Sequence, residues 1–409
     1  MNKKIKIITT ALLISAVIPT ATVIADNENV KVAIGSLVAR YMQNSSQAEN
    51  ISLNAEKQNL DNYTIINSIA EIEKQIENNN NSLTQLKTGY FNGTAIEYLE
   101  QLDYLRIYGC ELEMKLELCK MQEKLDLLNS DYSEKITEQQ NKQLKLEAYT
   151  LLWNIHSKQS EQAYLEGLTR QKEHELSVMR ETLKLGYATE SDVLAAEAEL
   201  EQTKAQLAAC ENEYTVLTKK YEIGANEDLG QFSAVYAETA YSAKDVLKKF
   251  EQDSFYAEYY GKQAELYKTY AETLAKLPDK MPDPWYDHEY YTRIKEYITA
   301  EAAYYRNEAA LAENSAERYS EGLELFVYET CGSVNSLSAQ RKATAAALKA
   351  AEKPLEISRA LLEEGRINET ALMEAENSVL KLKAELAGVE AEIMCKKFAV
   401  ENKIEGFGY

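Results

Sequence analysis

The segment LKLGYATESDVLAAEAELEQTKAQL, residues 183–207, holds the most restrictive pattern in the chain. After Gly186, apolar or small residues fall at Val193, Ala196, Leu200, Thr203, Leu207, Cys210, Tyr214, Leu217 and Tyr221. The steps alternate three and four, a period of 3.5. A straight helix drifts out of that register, so a sustained period of this kind specifies left-handed coiled-coil packing. An offset of 179 brings the pattern back. It sets Gly186 over Gly365, and the seam over Leu372, Ala375, Val379, Leu382, Leu386, Val389, Ile393, Lys396 and Val400, with Lys396 the one departure. Leu176 and Leu183 fall over Leu355 and Leu362, Glu197 over Glu376, and Ala205 over Ala384. Two heptad runs in the same phase relative to a shared glycine define two homologous antiparallel helical hairpins.

The turn chemistry agrees. Gly186 can take the left-handed conformation that closes a helix C-terminus. Thr189 is placed to N-cap the next helix, and Asp192, three residues on, completes an aspartate version of the capping box. In the second copy Gly365 closes and Asn368 caps. Ala371 cannot return the second hydrogen bond, so the second tip is expected to be slightly softer.

The rest of the chain reads as helix. Only 15 Gly and 5 Pro occur in 409 residues, too few turn residues for an all-β chain. Helices are expected over 30–43 and 45–77, with breakers at 78–82 and 88–94. Helix resumes over 95–128, turns at 129–135, and runs on over 133–185, roughly 80 Å. A second helix covers 190–222, roughly 50 Å. A linker at 223–232 leads to a Tyr-rich helix over 243–277 and a Pro-rich boundary at 277–285. A helix over 289–364, interrupted near 329–335, and a last helix over 369–404 complete the chain. No stretch reads as strand. The expected organisation is an export signal at 1–25, an N-terminal helical region at 26–131, a first hairpin repeat at 132–224 with its tip at 186–191, a linker and Tyr-rich helix at 225–288, and a second repeat at 289–409 with its tip at 365–370.

The first 25 residues pair a basic start with an apolar run ending in Val-Ile-Ala, the pattern of a cleaved export signal. Its removal takes three lysines and no acid, moving the net charge from -21 to -24. A chain this acidic does not bind nucleic acid through its phosphates. Five cysteines, Cys110, Cys119, Cys210, Cys331 and Cys395, lack metal-ligand spacing and read as buried small hydrophobes, a Cys210–Cys395 bridge being the alternative.

Catalytic patterns are missing from the sequence. His156, His174 and His288 are scattered, and HELSV at His174 lacks the second histidine of a zinc hydrolase motif. Asp287, His288 and Glu289 are consecutive and do not converge on one ion. No phosphate loop or serine elbow occurs. The reading is a non-enzyme without cofactor or metal. The many tyrosines at helical spacing, such as Tyr256, Tyr260, Tyr267 and Tyr270, suit interhelical seams; contact with a wall polymer through ring faces is the competing use.

The stretch GYATESDVLAAEAEL, running on to YEIG at 221–224, resembles the signature of the TolC-like outer-membrane efflux family: Gly-x-x-[Ser/Thr]-x-x-[Asp/Glu]-[Val/Leu]-Leu-x-Ala followed by a heptad helix. GRINETALMEAENSV, running on to IEGFG at 404–408, is similar more loosely. The resemblance covers about 134–224 and 300–408. It implies an all-α protomer of a helical barrel, a homotrimer whose six hairpins form a conduit across the cell envelope. It further implies that the tips dock the coiled-coil hairpins of a periplasmic membrane-fusion adaptor, itself joined to an ABC or proton-driven transporter. Carried over by position, the docking residues are Leu185, Gly186, Tyr187, Ala188, Thr189 and Ser191, with Glu364, Gly365, Arg366, Ile367, Asn368 and Thr370. Family members that cross an outer membrane carry paired strands expected near 62–92 and 278–300. Neither stretch alternates with period two here, so the expected protomer has little or no β-structure, and an extracytoplasmic or wall-associated location is favoured over the outer membrane that the resemblance implies. A non-transport coiled-coil scaffold or spacer of the envelope is the second functional reading.

Overall fold

Two very long helices set the dimensions of the molecule. In the computed structural model, which describes residues 32–58, 62–238, 240–250, 255–281, 283–285 and 288–402, α4 runs Ala95–Lys184 and α8 runs His288–Glu363. The expected export signal, Tyr286, Asp287 and the segment 404–408 lie outside the described residues. At 1.5 Å per residue, the 90 residues of α4 extend about 135 Å. The other helices are α1 (Ile34–Asn44), α2 (Ser46–Gln58), α3 (Asn62–Thr88), α5 (Glu190–Ala225), α6 (Ala243–Phe250), α7 (Phe255–Lys280) and α9 (Glu369–Glu401). The described β-structure is one parallel pair of two-residue strands, β1 (Val32–Ala33) and β2 (Phe232–Ser233), in register Val32 to Phe232. The fold is all-α, as expected. Among the described residues no helix is long and apolar enough to cross a membrane.

Both heptad seams are in place. Every seam residue from Val193 to Tyr221, and every one from Leu372 to Val400, is buried or half-buried. Leu200, Cys210 and Tyr221 are buried on α5, and Val379, Val389 and Ile393 on α9. A fully buried seam leucine or valine contributes about 1.5–3 kcal/mol relative to exposure. Even Lys396 is half-buried at its seam position, with its ammonium 3.7 Å from Glu392.

Three expected interruptions are absent. No turn forms at 129–135: α4 continues, with Leu128 and Tyr132 packed against Tyr256, Tyr259 and Leu266. Asn129 accepts a hydrogen bond from the Tyr259 hydroxyl at 2.7 Å instead of competing for its own backbone. No break forms at 78–82. Asn79 is buried in an α3 seam of Ile65, Ile69, Ile72, Ile76, Leu83 and Leu86, and its amide donates to the Leu105 carbonyl at 2.9 Å. No break forms at 329–335 either, because Val327, Thr330, Cys331 and Val334 are buried in α8. Within the expected Tyr-rich helix over 243–277, the described residues form α6 and α7, and residues 251–254 lie outside the described residues.

The tyrosines do line a seam. Tyr319 on α8 stacks between Tyr256 and Tyr260 of α7, and Tyr305 meets Tyr267 and Tyr270. All five cysteines are free, so the Cys210–Cys395 bridge does not form. Burial pushes the Cys395 thiol up to about 11.

Four helices form a row. α5 packs on α4, α4 on α9, and α9 on α8. α9 is buried on two faces, carrying Asn377, Ala387, Ala391 and Met394 besides its seam. α5 buries only one. In the other half of the rod α3 packs on α4, and α4, α7 and α8 share a core of Ile107, Met114, Leu274, Leu277, Ile294 and Ile298. At the waist the Tyr221 hydroxyl donates to the Leu37 carbonyl at 3.1 Å, tying α1 to α5. Gly224 is required there, since a Cβ would sit 2.2 Å from the Tyr41 ring.

Candidate functional site

The two tips share one backbone design. Gly186 has φ +79° and Gly365 φ +68°. The Gly186 N–H donates to the Leu183 carbonyl at 2.9 Å and the Tyr187 N–H to Thr182 at 3.0 Å. The second tip repeats this, Gly365 to Leu362 at 2.9 Å and Arg366 to Leu361 at 2.8 Å. Each is a Schellman closure with glycine in the left-handed position.

The following helices are capped as the residues predict. The Asp192 N–H donates to the Thr189 hydroxyl at 3.2 Å, and the Thr189 N–H donates to the Asp192 carboxylate at 2.8 Å. Those Thr189 donors, the backbone N–H first and then the hydroxyl, hold the Asp192 carboxyl below its ordinary range. At the second tip Ala371 donates to Asn368 Oδ1 at 3.0 Å, and no capping box forms.

Both tips lie at one end of the rod, because Asn377, just past the second cap, meets α4 a few turns short of the first tip. Its buried amide donates to the Gly167 carbonyl at 3.2 Å and to Gln171 Oε1 at 2.6 Å. Gly167 permits this approach; a Cβ there would lie 2.3 Å from Asn377 Oδ1.

The structure brings the twelve positions together as two exposed turns. Leu185 is 70% and Tyr187 84% exposed. Gly186, Thr189, Ser191, Glu364, Gly365, Arg366 and Asn368 are exposed, while Ala188, Ile367 and Thr370 are half-buried. Arg366 pairs with Glu364 at 3.4 Å within its turn. Below the first tip a shallow groove of about 470 Å³ opens between α4 and α5, lined by Leu176, Arg180, Leu183 and Leu200 among others.

Sequence reasoning missed two features. One is a pair of cross-hairpin ion pairs, Arg180–Glu197 at 2.7 Å and Arg359–Glu376 at 3.1 Å. The repeat offset matched the glutamates and would have matched the arginines too. The other is a second seam on each outer helix of the row. On α5, Ala195, Ala198, Gln202, Ala205, Ala209, Val216 and Ile223 are all exposed at heptad spacing. On α8, Ala343, Ala347, Ala350, Pro354 and Ile357 are likewise exposed.

Among the described residues no group of three or more His, Cys, Asp or Glu is placed to hold a metal ion. No protein-family model matches the sequence, and no curated protein matches it. Solved structures of bacterial membrane channels are similar to the chain at low identity. CusC, known from structures of its folding and transmembrane channel formation, is 12% identical with TM-score 0.48, over 94% of this chain and 95% of its own. The outer-membrane protein VceC of Vibrio cholerae is 10% identical with TM-score 0.47, over 91% and 96%. The CmeC outer-membrane channel of Campylobacter jejuni is 11% identical with TM-score 0.49, over 93% and 90%.

Proposed function

We propose that the chain is one protomer of a helical conduit of the cell envelope. Copies assemble side by side, and the glycine tips dock the coiled-coil hairpin of a membrane-fusion adaptor, which joins an ABC or proton-driven transporter. The observation that carries this reading is the open row α5–α4–α9–α8, whose two outer helices each present an exposed heptad seam of small residues. A seam of alanines lets helix axes approach closely. The two edges differ, so contact between copies is head to tail, and such contacts close into a ring when the rotation permits. The motif resemblance supports three copies. In this role the protein performs no chemistry and conducts passively.

The test is the mass of the purified protein by native mass spectrometry. A trimer is expected, with Ala209→Arg and Ala350→Arg each yielding helical monomers. A monomeric parent protein, or assembly indifferent to both substitutions, overturns the ring and leaves a monomeric envelope spacer. Docking is tested separately. A photo-crosslinker at Tyr187 or Ile367 should capture an adaptor with its own coiled-coil hairpin. Thr189→Arg with Asn368→Arg should abolish that capture while the trimer persists; unchanged capture removes the tips from the interface.

A further inference from the structure

At the end of the rod opposite the glycine tips, residues 89–94 join α3 to α4, and Trp285 stands just before α8. Trp285 lies against α4, where its backbone N–H donates to Asp103 Oδ2 at 2.6 Å. Asp103 is only 1% exposed. The Arg106 guanidinium sits over the Trp285 ring at 5.4 Å. Backbone and ring are thus both anchored, yet the Trp285 side chain remains 58% exposed. A tryptophan held in place without being buried contributes little to folding.

Trp285 is not alone. Tyr104, half exposed, lies nearly parallel to Tyr108 at 5.7 Å and to Tyr290 at 5.8 Å. The Tyr290 hydroxyl donates to Glu111 at 3.0 Å, and the Arg293 guanidinium lies over its ring at 5.2 Å. Tyr90, between α3 and α4, is 95% exposed. Aromatic side chains already fixed by neighbours lose little freedom on binding, which is how a surface becomes a binding site at low cost.

We propose that this aromatic end binds an uncharged polysaccharide, with Trp285 as the anchor and Tyr104 as a flanking contact. A sugar ring offers a C–H face bordered by hydroxyls. Indole and phenol faces match the first, and the Arg106 and Arg293 guanidinium groups beside them match the second. Arg106 and Arg293 are balanced here by Asp103 and Glu111, so these groups present no net charge to draw a polyanion or an anionic lipid surface, which favours a neutral polymer. The proposal is independent of ring assembly and of adaptor docking.

The full-length protein is sedimented with chitin, with cellulose and, separately, with neutral phosphatidylcholine vesicles. Co-sedimentation with at least one polysaccharide and not with vesicles is expected. Trp285→Ala with Tyr104→Ala should lower the bound fraction about tenfold, the scale of losing an interface hot spot. Trp285→Tyr should retain most binding, and Tyr187→Ala at the other end should leave it unchanged. Unchanged helicity by circular dichroism shows that the variants fold. Sedimentation with neither polysaccharide, equal binding by the double variant, or sedimentation with vesicles alone overturns the proposal; the last would make the aromatic end a membrane-surface contact.

Discussion

Arg180 on α4 reaches across the first hairpin to Glu197 on α5 at 2.7 Å, and the repeat-related pair Arg359–Glu376 spans the second at 3.1 Å. Both pairs stand just behind a glycine turn and are largely exposed. Exposed pairs contribute only about 0.2–1 kcal/mol, so their recurrence fits a role in hairpin register near the tip better than one in global stability. A double-mutant cycle on Arg180→Ala and Glu197→Ala should give a coupling within that range, shrinking as salt is raised. A coupling well above it would mean the pair is desolvated in the assembled protein.

Glycine substitutions separate three physical causes. Gly186→Ala meets no neighbouring atom, so its cost is conformational, about 1–2 kcal/mol for forcing a Cβ into the left-handed region. Gly167→Ala gains helix propensity of about 1 kcal/mol but places a Cβ 2.3 Å from Asn377 Oδ1 and 2.9 Å from Leu380 Cδ1. Overpacking of about 1–3 kcal/mol should outweigh that gain. Gly261→Ala, helical with open space around it, should stabilise by about 0.5–1 kcal/mol. Chemical denaturation of the three variants checks both signs and order.

The first tip should respond to acid and the second should not. Thr189 holds the Asp192 carboxyl below its ordinary range. A carboxylate depressed in the folded state stabilises above its unfolded pKa, and the contribution is lost as pH falls through the folded value. Below about pH 4 the first turn of α5 should fray. Relative to the intrinsic rate at each pH, amides of residues 190–194 should lose protection from hydrogen exchange there, while residues 369–373, capped by the neutral Asn368, should keep theirs. Equal loss of protection at both tips would remove the capping box as the cause.

Asn377→Ala removes two buried hydrogen bonds between α9 and α4. It leaves the Gly167 carbonyl without this side-chain donor and should cost about 1–3 kcal/mol. Its effect should be coupled to that of Gly167→Ala, because the two residues share one contact. Additive losses in a double variant would show that the polar contact does not set the approach of the two hairpins.

The hairpins and their turns were legible because their causes are local. A heptad seam pairs residues close to a turn, and a glycine followed by a capping residue states where the chain reverses. The twelve tip positions therefore lie where the residues placed them. The expected turn at 129–135 failed for the opposite reason. Asn129, Ser130 and Asp131 are turn residues by propensity, and contact with α7, far along the chain, holds this stretch in helix, with the Tyr259 hydroxyl on Asn129 and Tyr256, Tyr259 and Leu266 against Leu128 and Tyr132. The four-asparagine run at 78–81 misled in the same way, because one of its members, Asn79, is a buried seam residue bonded to α4.

The sequence by itself determined an all-helical chain, two related hairpins and the chemistry of their tips, since helix period, glycine conformation and capping all act over a few residues. The tertiary structure alone decided how the two hairpins and the remaining helices lie against one another. It set α9 between α4 and α8 through Asn377 and Gln171, left the small-residue faces of α5 and α8 uncovered, and drew Trp285 onto Asp103. Those contacts join positions more than a hundred residues apart, and a periodic pattern says which face is apolar without saying which partner will cover it.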